Sequence, residues 1–309
     1  MTGVLYRIEH RTRYVHAGGV STSQHVAYLT PRSTPRQRVR RHGLAIEPAP
    51  ASHVQRVDYF GNAVDQFTIL TPYDELCVVG RSIVEVTAAE PPIPLDAGAS
   101  WEAVRDRLSY AREAPYEDAS EFRFASPYAA TPPELGAFAS ASFPPHRPLV
   151  AAAVDLMHRI HEEFTFDALA TTIATPVTRV LAERRGVCQD FAHLQIGCLR
   201  SLGLAARYVS GYLLTEPPPG QPRLAGADAS HAWLSVWCPP LGWVDLDPTN
   251  DVVPSHRHVT LAWGRDYGDV SPLRGVVLGG RDHTLAVNVS VTPLAGDGPD
   301  AVTDGVRQY

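Results

Sequence analysis

The sequence predicts an α+β fold, with an antiparallel β-domain first and a region of helices followed by strands after it. Three observations support this prediction. Segments that alternate polar and apolar residues dominate residues 1–90, as half-buried strands do. From Trp101 onwards, apolar residues recur at helical spacing. Alternating segments return in the last third of the chain, after the predicted helices.

Residues 1–90 are predicted to form an N-terminal β-domain. Its strand segments are, in order, VLYRIEHRTRYVH, SQHVAYLTP, QRVRRHGLAIEP, the pair within VQRVDYFGNAVDQFTIL, and LCVVGRSIVEVTA. Gly61-Asn62 is a turn signal, so the pair is predicted to be a hairpin. Because no helical segment separates these strands, we expect an antiparallel sheet or sandwich.

Residues 91–148 are predicted to be a linker that contains one helix and several turns. It follows the proline-rich stretch EPPIPLDAG, which starts at Glu90. Trp101, Val104 and Leu108 have the spacing of one helix face. Ser-Pro and Pro-Pro dipeptides then interrupt residues 125–148, which favours turns.

Residues 149–309 are predicted to form a second domain, a core of helices and strands that also contains the C-terminal strands. Helices are expected in AAAVDLMHRIHEEFTF, TPVTRVLAER and VCQDFAHLQIGCLRSLG, and strands in ARYVSGYLLT, HAWLSVWCP, GWVDLDP and GRDHTLAVNVSVTP. For the second helix, Thr175 is the predicted N-cap and Pro176 the first helical residue. Gly186 is predicted to end it.

Composition and charge narrow the possible partners and location. The 309 residues carry a net charge of -6 without long charged runs, which argues against nucleic acids and membrane surfaces as partners. No run of 18 apolar residues is present, so no spanning helix is expected. Early charges in MTGVLYRIEHRTRYVH argue against a secretory signal, and a cytoplasmic location is therefore expected. The oligomeric state is not predicted.

One of the four cysteines stands in a special position. Cys77, Cys188, Cys198 and Cys238 include no C-x-x-C pair, so neither a zinc site nor another cofactor is predicted. In a reducing cytosol most such cysteines are buried small hydrophobic residues, and Cys188 taken alone could be one. However, Cys188 is predicted to start a helix. The positive end of the helix dipole stabilises a thiolate, and free backbone N–H groups there can receive an oxyanion.

Two further segments offer the partners that a nucleophilic thiol needs. His231 starts a predicted strand and could act as general base, although with thirteen histidines in the chain an ordinary core histidine is the alternative. Asp245 and Asp247 lie on one face of the next strand, so alternation does not choose between them. Either carboxylate could orient an imidazole. Asp247 stands at the strand end, directly before Pro248.

Taken together, these segments resemble a known family. RGVCQDFAHL, HAW and GWVDLDPTN, in this order, resemble the catalytic core of the transglutaminase-like superfamily over roughly residues 150–250. ARYVSGY and GRDYGDVSPLRG resemble bacterial transglutaminase-like proteins that have their own N-terminal β-domain. The resemblance implies a papain-like core, in which a helix bearing the nucleophile packs on an antiparallel sheet. It assigns the nucleophile to Cys188, the base to His231 and the orienting acid to Asp247.

The resemblance also implies a thiol-dependent acyl-transfer reaction on amide bonds of peptides or proteins, through a thioester. Hydrolysis, as by a cysteine protease or amidase, is favoured because a water-accessible site needs no second specific substrate. A protein-glutamine transglutaminase and an inactive peptide-binding scaffold are the alternatives. A peptide or protein substrate is the partner expected.

The sequence departs from the animal transglutaminases in three respects. Their Gly-Gln-Cys-Trp motif is replaced by Gly186-Val187-Cys188-Gln189. No tryptophan lies between Trp101 and Cys188, so the second oxyanion donor stays unassigned. No D-x-D-x-D-G loop is present, so calcium dependence is not carried over.

Residues near the predicted triad are candidates for binding substrate. Gln189 follows the nucleophile, and Tyr212 and Trp233 lie on the neighbouring predicted strands, although core packing is an equal alternative for these two aromatic residues. His193 lies about 140° around the helix from Cys188, which favours a packing role.

Overall fold

Two antiparallel sheets, of seven and four strands, organise the computed structural model, which describes residues 3–87, 93–96, 98–110, 112, 116–215 and 229–294. The strands are β1 Val4–Ala27, β2 Gln37–Glu47, β3 Ser52–Val57, β4 Ala63–Ile69, β5 Tyr73–Val86, β6 Thr165–Phe166, β7 Arg185–Gly186, β8 Ala206–Leu213, β9 Ala229–Cys238, β10 Gly242–Leu246, β11 His258–Gly264, β12 Leu273–Gly279 and β13 His283–Leu294. The helices are α1 Trp101–Leu108, α2 Pro133–Ser140, α3 Leu149–Glu163, α4 Val177–Glu183, α5 Cys188–Ser201 and α6 Tyr267–Val270, with a 3-10 helix at Asp118–Arg123.

The first sheet is built around β1, a single strand of 24 residues. Along one edge β1 pairs with β5 and then with β4, and along the other edge with β13 and then with β12. The alternation of polar and apolar residues predicted two strands here, VLYRIEHRTRYVH and SQHVAYLTP, and that division is wrong. Gly18 has a positive φ of 82° and the pairing with β5 shifts register between Val15 and Val20. These features allow the strand to bend without ending.

The C-terminal strands belong to the first sheet. Residues 149–309 were predicted to form one domain, but β12 pairs with β1 from Ala27↔Leu273, and β13 pairs with β1 as far as Leu5↔Leu294. Alternation of polar and apolar residues predicts a strand and its buried face, but it does not identify the partner strand. The first sheet is therefore assembled from segments at both ends of the described chain.

The predicted hairpin is formed by β3 and β4, which pair from Val57↔Ala63 to Ser52↔Thr68. Its loop has the five residues 58–62. The loop is closed by a hydrogen bond in which the Asp58 carboxylate accepts from the backbone N–H of Asn62 at 2.8 Å. Gly61 has the positive φ of 76° that the turn requires.

The helices differ from prediction mainly at their ends. The linker at residues 91–148 contains α1, the 3-10 helix and α2 rather than one helix. Pro176, not Thr175, occupies the N-cap position of α4, and no side chain caps it. This helix ends at Glu183, because its C-cap residue Arg184 has a left-handed φ of 54°, two residues before Gly186.

One hydrophobic core joins the first sheet to the second region, by which we mean the helices and the four-stranded sheet between residues 101 and 270. Tyr6 and Ile8 of β1 and Val289 and Val291 of β13 are buried in the same cluster as the apolar residues of α3, α5 and the second sheet. A second cluster lies within the first sheet around Val20, Phe67 and Leu76. The predicted α+β fold, with an N-terminal antiparallel sheet, is confirmed. Among the described residues, no helix is both long and apolar enough to cross a membrane.

Candidate active site

Cys188 is the first residue of α5, and local interactions fix where that helix starts. Val187 is extended, with φ −114° and ψ 177°. The Asp190 carboxylate accepts hydrogen bonds from the backbone N–H of Val187 at 2.9 Å and from the Thr171 hydroxyl at 2.6 Å. A Cβ at Gly186 would lie 2.8 Å from the Asp190 Cβ, so only glycine fits there. The half-buried Cys188 thus sits among free N–H groups at the positive end of the helix dipole.

His231, on β9, lies between Cys188 and Asp247. Its Nε2 donates to Asp247 Oδ2 at 2.7 Å, and its ring also hydrogen bonds the Cys188 side chain. Because Nε2 is held by the carboxylate, Nδ1 is the ring nitrogen that remains for the sulfur. The His231 residue is buried, with an exposed fraction of only 6%. Cys188, His231 and Asp247 are therefore connected by two consecutive hydrogen bonds, with His231 in the middle.

Asp247, directly after β10, is the carboxylate that contacts His231. It is completely buried, and its Oδ1 accepts from the backbone N–H groups of Thr249 at 3.0 Å and Asn250 at 3.2 Å. Asp245 is engaged elsewhere, since it accepts from the Ser235 hydroxyl and faces the Arg36 guanidinium at 3.6 Å. The structure thus distinguishes two aspartates that alternation left equivalent.

Two residues that the sequence analysis did not assign complete the surroundings of Asp247. His258 on β11 donates from Nε2 to Asp247 Oδ2 at 3.0 Å, and the Asn250 side-chain amide donates to the same oxygen at 2.8 Å. His258 is buried, and its Nδ1 has no partner among the described residues. No sequence signal marks His258, because its strand lies outside the motifs. Asn250 stands within GWVDLDPTN, where its place beside Asp247 was the available clue.

Opposing effects set the protonation of the His231–Asp247 pair. Burial by itself would lower the pKa of His231, but the hydrogen bonds to Asp247 and Cys188 outweigh it and raise this pKa to about 10. Burial would likewise raise the pKa of Asp247, yet the hydrogen bonds from His231 and His258 outweigh it and hold this pKa well below its usual range. The site therefore favours an imidazolium beside a carboxylate.

The candidate substrate-binding residues have different surroundings. Gln189 is half-buried beside Cys188. Trp233 and Tyr212 are 0% and 1% exposed, which corresponds to the core-packing alternative for both. His258 packs edge-on against the Trp233 ring at 5.2 Å, while the first sheet covers Tyr212, whose hydroxyl bonds His10 Nδ1 at 3.0 Å. Strand alternation gave the face of each residue but could not show what covers it.

His193 has the packing role that its helical angle indicates. Its ring stacks on Tyr208 at 4.9 Å and on Tyr128 at 5.9 Å. Its Nε2 accepts a hydrogen bond from the backbone N–H of Tyr267 at 3.1 Å, and burial lowers its pKa to about 3. It is therefore a neutral acceptor that ties α5 to α6.

His231, Asp247 and His258 form a donor set that could hold a metal ion, because one ligand atom from each lies within 4.8 Å of the others. Both histidines direct Nε2 at the same carboxylate oxygen, so a cation here would replace the hydrogen bonds just described. Independence from metals stays a prediction of the sequence analysis.

Comparison with known proteins identifies the family. Residues 6–85 match the bacterial transglutaminase-like N-terminal region, and residues 139–248 match the transglutaminase-like superfamily. An uncharacterized protein of Mycobacterium tuberculosis strain H37Rv is 43% identical over 303 residues, covering 94% of each chain. A protein-glutamine gamma-glutamyltransferase of Pseudomonas aeruginosa is 32% identical over 134 residues, which cover 38% of this chain and 20% of that protein.

A solved structure shares the fold over nearly its whole length. It is that of a candidate cysteine protease from Cytophaga hutchinsonii, with a TM-score of 0.73 at 19% sequence identity, and the match covers 96% of this chain and 93% of that one. The chain therefore belongs to the transglutaminase-like superfamily, a family of thiol-dependent enzymes, and it carries the N-terminal region of the bacterial members.

Proposed function

We propose that this protein is a thiol-dependent acyl-transfer enzyme that acts on amide bonds of peptides or proteins, chiefly by hydrolysis. The observation that carries the proposal is the hydrogen-bonded sequence Cys188–His231–Asp247, with the sulfur at the start of α5. A nucleophile, a base within reach of it and a carboxylate that orients the base are the parts that covalent acyl transfer needs.

The reaction begins from the ion pair in which His231 already holds the proton of Cys188, and the thiolate attacks the amide carbonyl carbon. The resulting oxyanion is stabilised by backbone N–H groups at the start of α5, including that of Cys188. When the intermediate collapses, His231 gives its proton to the departing amine and a thioester remains. Water, deprotonated by His231, then attacks the thioester, which releases the acid and restores the ion pair of the Cys188 thiolate and the His231 imidazolium.

A primary amine in place of water would give the second candidate function, transamidation. The Pseudomonas aeruginosa relative named protein-glutamine gamma-glutamyltransferase favours this alternative, although it aligns with only 38% of this chain. The third alternative, an inactive peptide-binding scaffold, has no comparable support, since the contacts among the three triad residues are complete.

Product analysis with and without an amine separates these functions. The protein is incubated with a peptide library, alone or with an excess of a primary amine, and products are read by mass spectrometry. Hydrolysis adds the elements of water at an amide, and transfer adds the amine with loss of ammonia or a peptide fragment. The matched control is Cys188→Ala, which should form neither product. Equal turnover by Cys188→Ala and the parent would contradict the proposal.

A cytoplasmic location is part of this proposal. It is supported by the four cysteines Cys77, Cys188, Cys198 and Cys238, which are all free thiols. Fractionation of cells that produce the protein, followed by immunodetection, tests it, and recovery outside the cytoplasm would contradict it.

A further inference from the structure

A cavity of about 570 Å³ lies where the first sheet meets the second region. From the first sheet it is lined by His10, Thr12 and Tyr14 of β1 and by Leu285 and Val287 of β13. On the opposite side, Ile173, Ser230 and Tyr267 contribute to the lining. A cavity of this size falls within the range of ligand-binding sites.

The cavity continues the surface that packs the first sheet against the second region. On β13, Val289 and Val291 are 2% and 0% exposed, whereas the next residues on that face, Val287 and Leu285, line the cavity and are 47% and 52% exposed. On β1, the face that is buried at Ile8 lines the cavity from His10 onwards, although His10 and Thr12 are still only 2% and 3% exposed. The first sheet and the second region separate at the cavity, which leaves the apolar side chains of Val287 and Leu285 uncovered.

The cavity lies on the side of the second sheet where the nucleophile is. Ser230 pairs with Tyr212, and alternation along β8 gives Tyr212 and Tyr208 the same face. His193 of α5 stacks on Tyr208, so this is the face that the helix covers. Ser230 directly precedes His231 on β9, although alternation directs the His231 side chain to the other face of that strand.

The loop before α4 also connects the cavity to the helix that carries Cys188, because Ile173 in this loop lines the cavity. Ile173 lies two residues after Thr171, whose hydroxyl donates to Asp190 in the first turn of α5. The cavity is therefore flanked by the loop that contacts the helix of Cys188 and by the strand of His231.

The lining is almost uncharged. Among the residues that the structure describes, the lining contains no aspartate or glutamate, and its one arginine, Arg274, donates from its guanidinium to the backbone carbonyl of Gly268. Burial lowers the pKa of His25 in the lining to about 4, which keeps this ring neutral near pH 7. His16 Nδ1 and His25 Nε2 are buried and have no partner among the described residues, so both can hydrogen bond polar groups of a ligand.

We propose that this cavity binds the polypeptide acyl donor through uncharged, apolar side chains beside the reacting amide, an inference that rests on the proposed function. Apolar side chains gain free energy by covering Leu285, Val287 and Ile173. A basic side chain would lose its water without meeting an acidic group among the described lining residues. An acidic side chain would meet only Arg274, whose guanidinium already donates to the carbonyl of Gly268. The first sheet thereby selects the substrate.

The test uses three biotinylated peptidyl chloromethyl ketones with leucine, glutamate or lysine at the two residues before the reactive glycine, and iodoacetamide as a reagent without a peptide. Rate constants for modification of Cys188 are measured by mass spectrometry in the parent, Leu285→Arg and Thr284→Arg. Thr284 is exposed on the opposite face of β13 and is the matched control. Ile173→Arg repeats the test on the opposite wall, outside the sheet.

In the parent, we expect the leucine reagent to react at least about tenfold faster than the two charged reagents, the size of discrimination an apolar pocket provides. Leu285→Arg and Ile173→Arg should each lower the rate constant for the leucine reagent by about tenfold and leave that for iodoacetamide within about twofold of the parent value. Thr284→Arg should have the rate constants of the parent.

Equal reaction of the leucine reagent with the parent and with both arginine variants would overturn the cavity assignment, as would fastest reaction of a charged reagent. Either result would leave the proposed function standing, because Cys188 is still modified. If neither iodoacetamide nor any peptide reagent modifies Cys188 in the parent, the proposed function fails and the cavity assignment fails with it.

Discussion

Asp245 and Asp247 are two residues apart, and only Asp247 meets the imidazole of His231. Asp247→Asn should therefore reduce turnover by roughly 10²–10⁴, because the amide presents the wrong hydrogen-bonding partner to the ring. Asp245→Asn should have a far smaller effect, since its carboxylate contacts Ser235 and Arg36 instead. Turnover is measured with the best substrate of the library, after circular dichroism has shown that both variants are folded. A larger loss in Asp245→Asn would contradict the assignment of Asp247.

His258 shares the carboxylate of Asp247 with the proposed base, so we expect it to position that carboxylate. His258→Phe should lower turnover about tenfold, the equivalent of one hydrogen bond to a charged group. His258→Gln can still donate and should recover part of this loss. The acid limb of the pH–rate profile provides a second measurement, because losing the donor should raise the pKa of Asp247 and move that limb to higher pH. Variants that are equally slow, with an unshifted profile, would indicate a purely structural role.

The raised pKa of His231 predicts how stability depends on pH. The folded protein holds the His231 proton up to a pKa of about 10, whereas an unfolded histidine titrates near the ordinary value of ~6.5. The proton's contribution is fully present below about pH 6.5 and is lost as the pH rises towards 10. Urea unfolding across this range should show a fall in the free energy of unfolding. The fall should be smaller in His231→Gln, and an equal fall in the two proteins would contradict the prediction.

At the residue scale, the sequence predicted which residues of the candidate site meet better than it predicted what surrounds them. Cys188 and His231 followed from their places at a helix start and a strand start, while the choice of Asp247 needed the family resemblance. His258 could not be predicted, because it reaches the site from a strand whose pairing is a property of the folded sheet. For the same reason Trp233 and Tyr212 could not be recognised as covered residues.

Among the secondary-structure elements, α5 depends on the absence of a side chain just before it. In Gly186→Ala the new Cβ would meet the Asp190 Cβ at 2.8 Å and disturb the carboxylate that holds Val187 and Thr171. We expect a loss of about 1–3 kcal/mol in the free energy of unfolding, as for other overpacked sites. Alkylation of Cys188 at pH 6 should also slow relative to that of Cys77.

Gly43→Ala is the control for this substitution, because a Cβ there has no neighbour within 4 Å. Its stability and its Cys188 alkylation should match those of the parent. If Gly186→Ala and Gly43→Ala behave alike in both measurements, the start of α5 does not depend on Gly186.

The elements that the sequence predicted well are those whose signals are local. Helix periodicity and the turn at Gly61 identified α3, α5 and the β3–β4 hairpin. The continuity of β1 was missed because its bend at Gly18 is held by strands distant in sequence, from β4 and β5 to β12 and β13. Such pairing is set by tertiary packing, which a local pattern does not contain.

The molecule as a whole should unfold as one unit, because the first sheet and the second region share a core. Ile8, on β1, is 1% exposed within that shared cluster. Ile8→Ala should lower the free energy of unfolding by about 2–5 kcal/mol. All five tryptophans lie beyond residue 100, so their fluorescence reports on the second region while circular dichroism reports on the whole. Both signals should shift together to the same lower urea midpoint.

Val54→Ala, at a side chain that is 58% exposed on β3, is the control and should change stability by no more than about 0.5 kcal/mol. A fluorescence transition that stays at the parent midpoint in Ile8→Ala, while circular dichroism shifts, would show that the two parts unfold separately.

The pairing of β1 with β12 and β13 has a consequence for synthesis on the ribosome. β1 leaves the exit tunnel before residues 273–294, so one of its edges gains its partners only when those residues have been translated. The helices and the four-stranded sheet, which lie between residues 101 and 270, are complete before then. Translation therefore allows the helices and the four-stranded sheet to fold first, and it imposes an interval in which an unpaired edge of β1 is open to association with other nascent chains.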